Sequence, residues 1–378
     1  AISSARWSGT KSLRSWSEAI CASSGLRRHV LTAVLLTAVL SAWAAASSYS
    51  VGGDRDADAV ADRDGRGVIV ILADGLTWQD CRVHGGPALA RFLSAGSVGC
   101  ANVRTADRGD PLLSGCATLG AGRRMTAPES AGYCLGLREV FQGEAAVDVY
   151  LRRMGRLPSW GCLNEEGADG GLRATASVCI AWPELERANA ESPYRGKPGL
   201  LGESLRRAGM AAAAIGNSDD RELVCRPAVL VAMDARGATP WADVGAHTAA
   251  SDPHAPFGMV CDVRAMAESA ATAITTATAA AGAAKGTGAV PARVATLVLD
   301  IGDFARLRRY AVNLSPEAYE VQLGLCYKRL DALLVELERF LGPPSERLAY
   351  VLVSPSSESG LAPVAIAGWS YGAGLLMS

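Results

Sequence analysis

The chain has 378 residues, 49% of them hydrophobic and 20% charged, so it can bury a large core in one large or two medium domains and is not a disordered protein. Lys+Arg 37 against Asp+Glu 38 leaves no bulk charge to attract a polyanion. No basic stripe interleaved with aromatics is visible either, so a nucleic-acid role is excluded.

Residues 1–29 carry Arg6, Lys11, Arg14, Arg27 and Arg28 against Glu18 alone, and Val30–Ala46 is then apolar without a charge. A basic region before an apolar segment is expected to be a signal peptide cut after Ala44-Ala45-Ala46, or an anchor helix extended to Tyr49. As a helix, Val30–Ala46 would span roughly 26 Å, a little short of the ~30 Å hydrocarbon core. Either way the basic flank stays in the cytoplasm, and the expected location is the cell membrane or its exported side. Residues 50–66, with five aspartates among Arg and Gly, read as a solvated linker, and the folded domain is expected over 67–378.

Gly67-Val-Ile-Val-Ile-Leu-Ala-Asp74-Gly75 is an unbroken apolar run ending in a carboxylate, the pattern of a central parallel strand buried on both faces. A carboxylate at the C-terminal edge of an open α/β sheet stands where such sheets bind ligands, and Asp74 is the first site candidate; the competing role is a turn aspartate before Thr77-Trp78. Pro87–Gly96 reads as a helix closed by glycine and Ser97–Thr105 as a strand. Ser114-Gly-Cys-Ala-Thr118-Leu-Gly-Ala-Gly122-Arg-Arg places hydroxyls before an expected helix start, where free N–H groups favour an anion. Residues 125–197, rich in Gly, Pro and isolated Trp, are expected to be an irregular insertion or lid.

From 198 a period returns. A helix runs from Pro198 to Gly209, and the strand Met210–Ile215 enters the polar loop Gly216-Asn217-Ser218-Asp219-Asp220. Ala228–Met233 is expected to be a further strand, turning at Asp234–Gly237. Residues 263–284 form an Ala-rich helix. Val294–Leu299 is a second apolar strand ending in carboxylates, Asp300-Ile-Gly-Asp303. Ser315-Pro-Glu opens a long helix that stops at Gly342-Pro-Pro. Leu348–Val353 is a third apolar strand, ending in Ser354-Pro355, and Pro363–Ala367 a last short one. Strands alternating with helices predict an α/β fold, a doubly wound, mostly parallel sheet with helices on both faces.

Asp74, Asn217 with Asp219, Asp300 with Asp303, and Ser354 should therefore meet at one sheet edge. Carboxylates converging on a hydroxyl suit metal-assisted phosphoryl or sulfuryl transfer, in which hard oxygen ligands hold a divalent cation. The ordered series Leu-Ala-Asp74-Gly75, Thr118-Leu-Gly-Ala-Gly-Arg, Ile-Gly-Asn217-Ser-Asp219, Leu-Asp300-Ile-Gly-Asp303 and Leu-Val-Ser354-Pro355 resembles a family of bacterial membrane-associated proteins within the alkaline phosphatase superfamily, over roughly residues 66–378. The resemblance implies that Asp74 is a metal ligand, Thr118 the nucleophile with Ser114 the weaker choice, and Asp300 or Asp303 the later ligands. Asn217, Asp219 and Ser354 would serve substrate binding or loop structure.

Active members supply histidines to a metal pair, commonly as Asp-His after a late strand, where this chain reads Ser354-Pro355. His84, His247 and His254 lie outside the ligand motifs and read as ordinary loop histidines, and His29 precedes the apolar segment. One divalent ion held by Asp74 and Asp300, or none, fits better than two. The resemblance also implies that the domain continues past Ser378. Two functions follow: a metal-dependent hydrolase or transferase acting on phosphate or sulfate esters of an envelope component, or a catalytically degenerate binding or scaffolding ectodomain. A soluble nucleotide-binding protein is disfavoured, because no GxGxxG or GxxxxGK[ST] loop follows the first strand. Ten cysteines include no CxxC pair. Cys134, Cys162 and Cys179 are candidates for pairing in an exported domain, with buried free thiols as the alternative.

Overall fold

A computed structural model describes residues 66–106, 109–158, 175–283, 293–369 and 374–375. The basic N-terminal region, the apolar segment and most of the expected linker lie outside them. Among the described residues no helix is long and apolar enough to cross a membrane.

In chain order the elements are β1 (Gly67–Leu72), α1 (Trp78–His84), α2 (Pro87–Ala95), β2 (Ser97–Asn102), α3 (Pro111–Ala121), β3 (Cys134–Gly136), a small hairpin β4 (Val140–Phe141) and β5 (Glu144–Ala145), and α4 (Ala146–Met154). Next come β6 (Thr175–Cys179), α5 (Trp182–Ala190), α6 (Leu200–Arg207), β7 (Met210–Ile215), α7 (Pro227–Ala232), β8 (Ala238–Asp243), and a second small ribbon of β9 (Ala249–Ser251) and β10 (Met259–Cys261). The chain ends with α8 (Val263–Ala283), β11 (Arg293–Asp300), α9 (Asp303–Tyr310), α10 (Pro316–Leu341), β12 (Leu348–Val353), β13 (Leu361–Ala367) and β14 (Gly374–Leu375).

Ten strands form one sheet in the order β14-β2-β13-β12-β1-β11-β7-β8-β6-β3. Its centre, from β12 through β1, β11 and β7 to β8, is parallel. Pairing turns antiparallel at β13 and β2 on one wing and at β6 and β3 on the other, with β14 rejoining β2 in parallel. The central strands are apolar on both faces because helices cover both. Val68, Val70 and Leu72 pack with α3, α6 and α7, while Ile69, Ile71 and Ala73 pack with α2, α8, α9 and α10. This alternation along β1 is the period of 2 at work.

Two local expectations change. Ala228–Met233 is not a strand: Pro227 opens the short helix α7 there, and its residues are buried all round, so no polar face marks the period. The strand that follows is instead Ala238–Asp243. Within 125–197, expected to be irregular, β3 and β6 extend the main sheet, and α4 covers a third apolar cluster around Leu135, Val149, Tyr150 and Ile180. A helix for which the sequence reading had no element, α9, occupies Asp303–Tyr310.

Candidate functional site

Parallel strands bring their C-terminal ends to one edge. Leu72 pairs with Asp300 on one side and Val353 on the other, and Leu299 pairs with Ile215. The loops after β1, β7, β11 and β12 therefore emerge together, carrying Asp74, Asn217 with Asp219, Asp300 and Ser354.

Asp74 sits just past β1 and is buried. Its Oδ1 accepts from the Ser356 hydroxyl at 2.5 Å and its Oδ2 from Arg308 Nη1 at 2.6 Å; the same nitrogen donates to Ser356 Oγ at 2.7 Å. These three side chains make a closed triangle. Arg308 reaches it from α9 across Gly75, whose φ is +72°. A Cβ on Gly75 would lie 2.9 Å from Arg308 Cδ, so glycine gives the turn both its left-handed backbone and the room for the arginine. Burial raises the Asp74 pKa, the Arg308 charge and the hydrogen bonds from Ser356 and Arg308 pull against it, and Asp110 adds to the rise.

Asp300 ends β11 and accepts from Ser218 Oγ at 2.7 Å through Oδ2. Burial pushes its pKa up to about 7, against the Ser218 hydrogen bond and the charges of Arg306 and Arg309, with Asp74 adding repulsion. The strand register, with Leu72 opposite Asp300, brings the two carboxylates to neighbouring strand ends.

Asp303 is a separate hub. It accepts from the Cys261 backbone N–H at 3.1 Å and pairs with Arg306 at 3.3 Å and Arg329 at 3.2 Å. Arg306, 1% exposed, also donates to the carbonyls of Asn217 and Asp219 at 3.1 and 3.2 Å. It pins the β7 loop to α9. Asn217 ties the β7 loop to the segment after β8: Nδ2 donates to the carbonyls of Val244 and Gly245 at 3.0 and 2.9 Å, and Oδ1 accepts from Asp219 N–H at 3.2 Å within its own loop. Asp219 accepts from Cys225 N–H at 2.8 Å and from Arg226, which also holds Glu139. Burial raises the Asp219 pKa against the Arg226 charge. Ser354 Oγ accepts from Leu76 N–H at 3.2 Å and donates to the Ser356 carbonyl at 2.8 Å, which shapes the loop that delivers Ser356.

The two hydroxyls expected before a helix start lie inside a helix. α3 begins at Pro111, capped by the Asp110 carboxylate on Leu113 N–H at 2.8 Å, and Thr118 falls in its last turn. Thr118 Oγ1 accepts from Met125 N–H at 3.0 Å, and Ser114 Oγ from Ala127 N–H at 2.8 Å. Both secure the segment that leaves the helix. The group at the helix start is a carboxylate, Asp110, whose charge is felt at Asp74. α3 lies close to the β12 loop because residue 115 is glycine: a Cβ there would be 2.1 Å from the Pro355 carbonyl oxygen.

The donor set does not fit a divalent ion. Both Asp74 oxygens are engaged, one by an internal cation, and Asp303 points into its own pair of arginines. Among the described residues no group of three His, Cys, Asp or Glu side chains could hold a metal ion. His84 pairs with Glu320 at 3.1 Å, and His247 with Asp243 at 2.7 Å. Beside the triangle, a polar cavity of about 440 Å³ opens to solvent, lined by Arg104, Thr105, Pro111, Ser357, Glu358 and Ser359, with Ser356 in its wall.

The site residues that the sequence pattern did not bring forward are Arg308, Ser356 and the other arginines of α9. A signal was present: Phe304, Leu307 and Tyr310 repeat at three-residue spacing between Arg306, Arg308 and Arg309, directly after Asp303.

No protein-family model and no curated protein matches the chain. Solved structures that resemble it include a Pyrococcus horikoshii protein, PH0037 (12% identity, 80% of this chain and 88% of that one, TM-score 0.39). Ps i-CgsB, in complex with k-i-k-neocarrahexaose, is 13% identical over 82% of this chain and 68% of that one, with a TM-score of 0.37. An alkaline phosphatase from the Antarctic bacterium TAB5 is 11% identical over 82% and 94%, with a TM-score of 0.34. These are distant likenesses.

Proposed function

We propose that this chain is a catalytically degenerate domain of the alkaline-phosphatase type that binds an anionic ester without hydrolysing it. The observation that carries the reading is the closed Asp74–Arg308–Ser356 triangle, in which a guanidinium supplies the counter-charge to the carboxylate expected to ligate a metal. The absence of a free hydroxyl at the start of α3 supports it, since Asp110 stands there and would repel an attacked phosphate. The ligand enters the cavity beside Ser356. Its hydroxyl-rich lining suits a polyhydroxylated molecule, and Arg104 is the cation for its phosphate or sulfate group, which would have to lie on the Arg104 side of the cavity, away from the Glu358 carboxylate, as for an envelope glycan bearing such esters. The apolar segment 30–49 would hold the domain on the exported side of a membrane.

The test is calorimetry and turnover with the purified full chain. Inorganic phosphate, inorganic sulfate and p-nitrophenyl phosphate are titrated with and without Mg²⁺, Mn²⁺ or Zn²⁺. Binding without added metal, weakened by Arg104→Ala and accompanied by no release of nitrophenol, is expected. Metal-dependent release of nitrophenol that Asp74→Asn abolishes would overturn the degenerate reading and restore the hydrolase. Failure of every probe to bind would overturn the proposed ligand.

A further inference from the structure

Among the described residues β3 lies at the edge of the ten-stranded sheet and pairs with β6 alone. In this antiparallel pair Cys134 stands directly opposite Cys179. The hydrogen bonds fix which kind of opposition this is. Ile180 N–H donates to the Tyr133 carbonyl at 3.1 Å, and Leu137 N–H to the Ala176 carbonyl at 3.2 Å. Tyr133 with Ile180 and Leu137 with Ala176 are therefore hydrogen-bonded pairs, and every second pair between them is not. Cys134 with Cys179 is a non-hydrogen-bonded pair, the kind in which opposed Cα atoms approach to roughly 4.5 Å and side chains lie closest. A disulfide spans Cα separations of about 4.4–6.8 Å. The backbone is thus already placed for the bond.

The side chains agree. Both cysteines are fully buried, and both thiols point to one acceptor, the Ala131 carbonyl, at 3.3 Å from Cys134 and 3.8 Å from Cys179. We propose that Cys134 and Cys179 form a cross-strand disulfide under oxidising conditions, stapling the edge strand β3 to β6. The oxidant is a low-molecular-weight disulfide such as oxidised glutathione. One cysteine thiolate attacks a glutathione sulfur and expels a glutathione thiolate; the second thiolate attacks the protein sulfur of that mixed disulfide and expels the other. Two protein thiols give up two protons and two electrons, which leave on two molecules of reduced glutathione.

Access comes through the edge. β3 has three residues and one neighbouring strand, so its local detachment exposes both sulfurs without unfolding the parallel centre. Burial holds the Cys134 thiol well above its ordinary pKa, and the Cys179 thiol beside it adds to the rise, so exchange proceeds from the opened edge or before the sheet closes. The staple reaches toward the site. Arg226, which holds Asp219, donates to the Cys134 carbonyl at 3.2 Å and pairs with Glu139 just beyond β3. Locking β3 therefore locks two of the three anchors of that arginine.

The full chain, purified with dithiothreitol, is transferred to buffer containing oxidised glutathione in excess over reduced glutathione. Intact mass, peptide mapping and the thermal midpoint are then read. A mass lower by two hydrogens, a Cys134–Cys179 linked peptide and a midpoint roughly 5 °C higher, reversed by dithiothreitol, are expected. Cys179→Ser should lose both the linked peptide and the shift. Linkage of Cys134 to Cys162, glutathione left on either thiol, or two free thiols after unfolding and refolding in the same buffer would overturn the proposal. The peptide map of the wild-type chain decides the matter even if the variant does not fold.

Discussion

Asp300→Asn tests the electrostatics of the sheet edge. In the folded protein burial lifts the Asp300 pKa to about 7, from 3.8 for the exposed group. Below about pH 4 the carboxyl is protonated in both states and contributes no pH dependence. As pH rises from about 4 to 7, the unfolded chain has released this proton while the folded chain keeps it, so folding loses stability, and the loss levels off above the folded pKa. A rise of that size corresponds to a ceiling of about 4 kcal/mol. Asparagine has no proton to lose, and its side-chain oxygen can still accept from Ser218 Oγ. The variant should therefore gain on the wild type by about 3 kcal/mol between pH 5 and pH 8. Asp219 acts in both proteins and cancels in the difference, whereas the repulsion from Asp74 is lost in the variant and is part of the expected gap. The assay is urea unfolding of both proteins at a series of pH values and fixed ionic strength. A gap that stays constant with pH, or an asparagine variant less stable at pH 8, would refute the reasoning and mean that Asp300 is ionised and matched by a cation.

Arg308→Ala removes the counterion of Asp74. Breaking a buried pair costs about 3–5 kcal/mol, but Arg308 is 31% exposed and solvent offsets part of that. A loss of about 2 kcal/mol at pH 7 is expected in urea unfolding, shrinking toward pH 4 as Asp74 takes up a proton. Gly75→Ala forces an alanine to φ +72° and brings its Cβ to 2.9 Å from Arg308 Cδ. A loss of about 1–2 kcal/mol is expected by the same assay. Thr118→Ala deletes only the acceptor for Met125 N–H. It should cost about 1 kcal/mol and leave phosphate binding by calorimetry unchanged; lost binding in a stable variant would return Thr118 to the site.

The strands of the parallel centre were legible because burial on both faces writes itself as an unbroken apolar run, as in Val68–Leu72, Val294–Leu299 and Leu348–Val353. Ala228–Met233 is the same kind of run in a helix. Six residues without a polar face carry no period, and Pro227 at the first turn was the better guide. The start of α3 was misplaced although the same kind of signal marks it: Asp110-Pro111 is a cap followed by proline, and it lies before Ser114 and Thr118. The contact that defines the site was not. Asp74 and Arg308 are 234 residues apart, and a single sequence carries no signal for a pairing across that distance.

The three arginines of α9 show what faces several of the carboxylates at the sheet edge. Asp74 pairs with Arg308, Asp220 with Arg309 and Asp303 with Arg306. One eight-residue helix thus supplies a cation to the loop after β1, to the loop after β7 and to its own first turn. At 100° per residue, positions 306, 308 and 309 point in three different directions, so a short helix can reach all three. Carboxylates neutralised by a bound ion would depend on that ion's concentration for their stability, as ligand linkage requires. Carboxylates neutralised from α9 do not, because their counterions are part of the chain. Asp74, Asp220 and Asp303 are thus one half of an internal ion-pair network and the basic helix α9 is the other, while Asp300, bonded to Ser218, and Asp219, paired with Arg226, stand outside it.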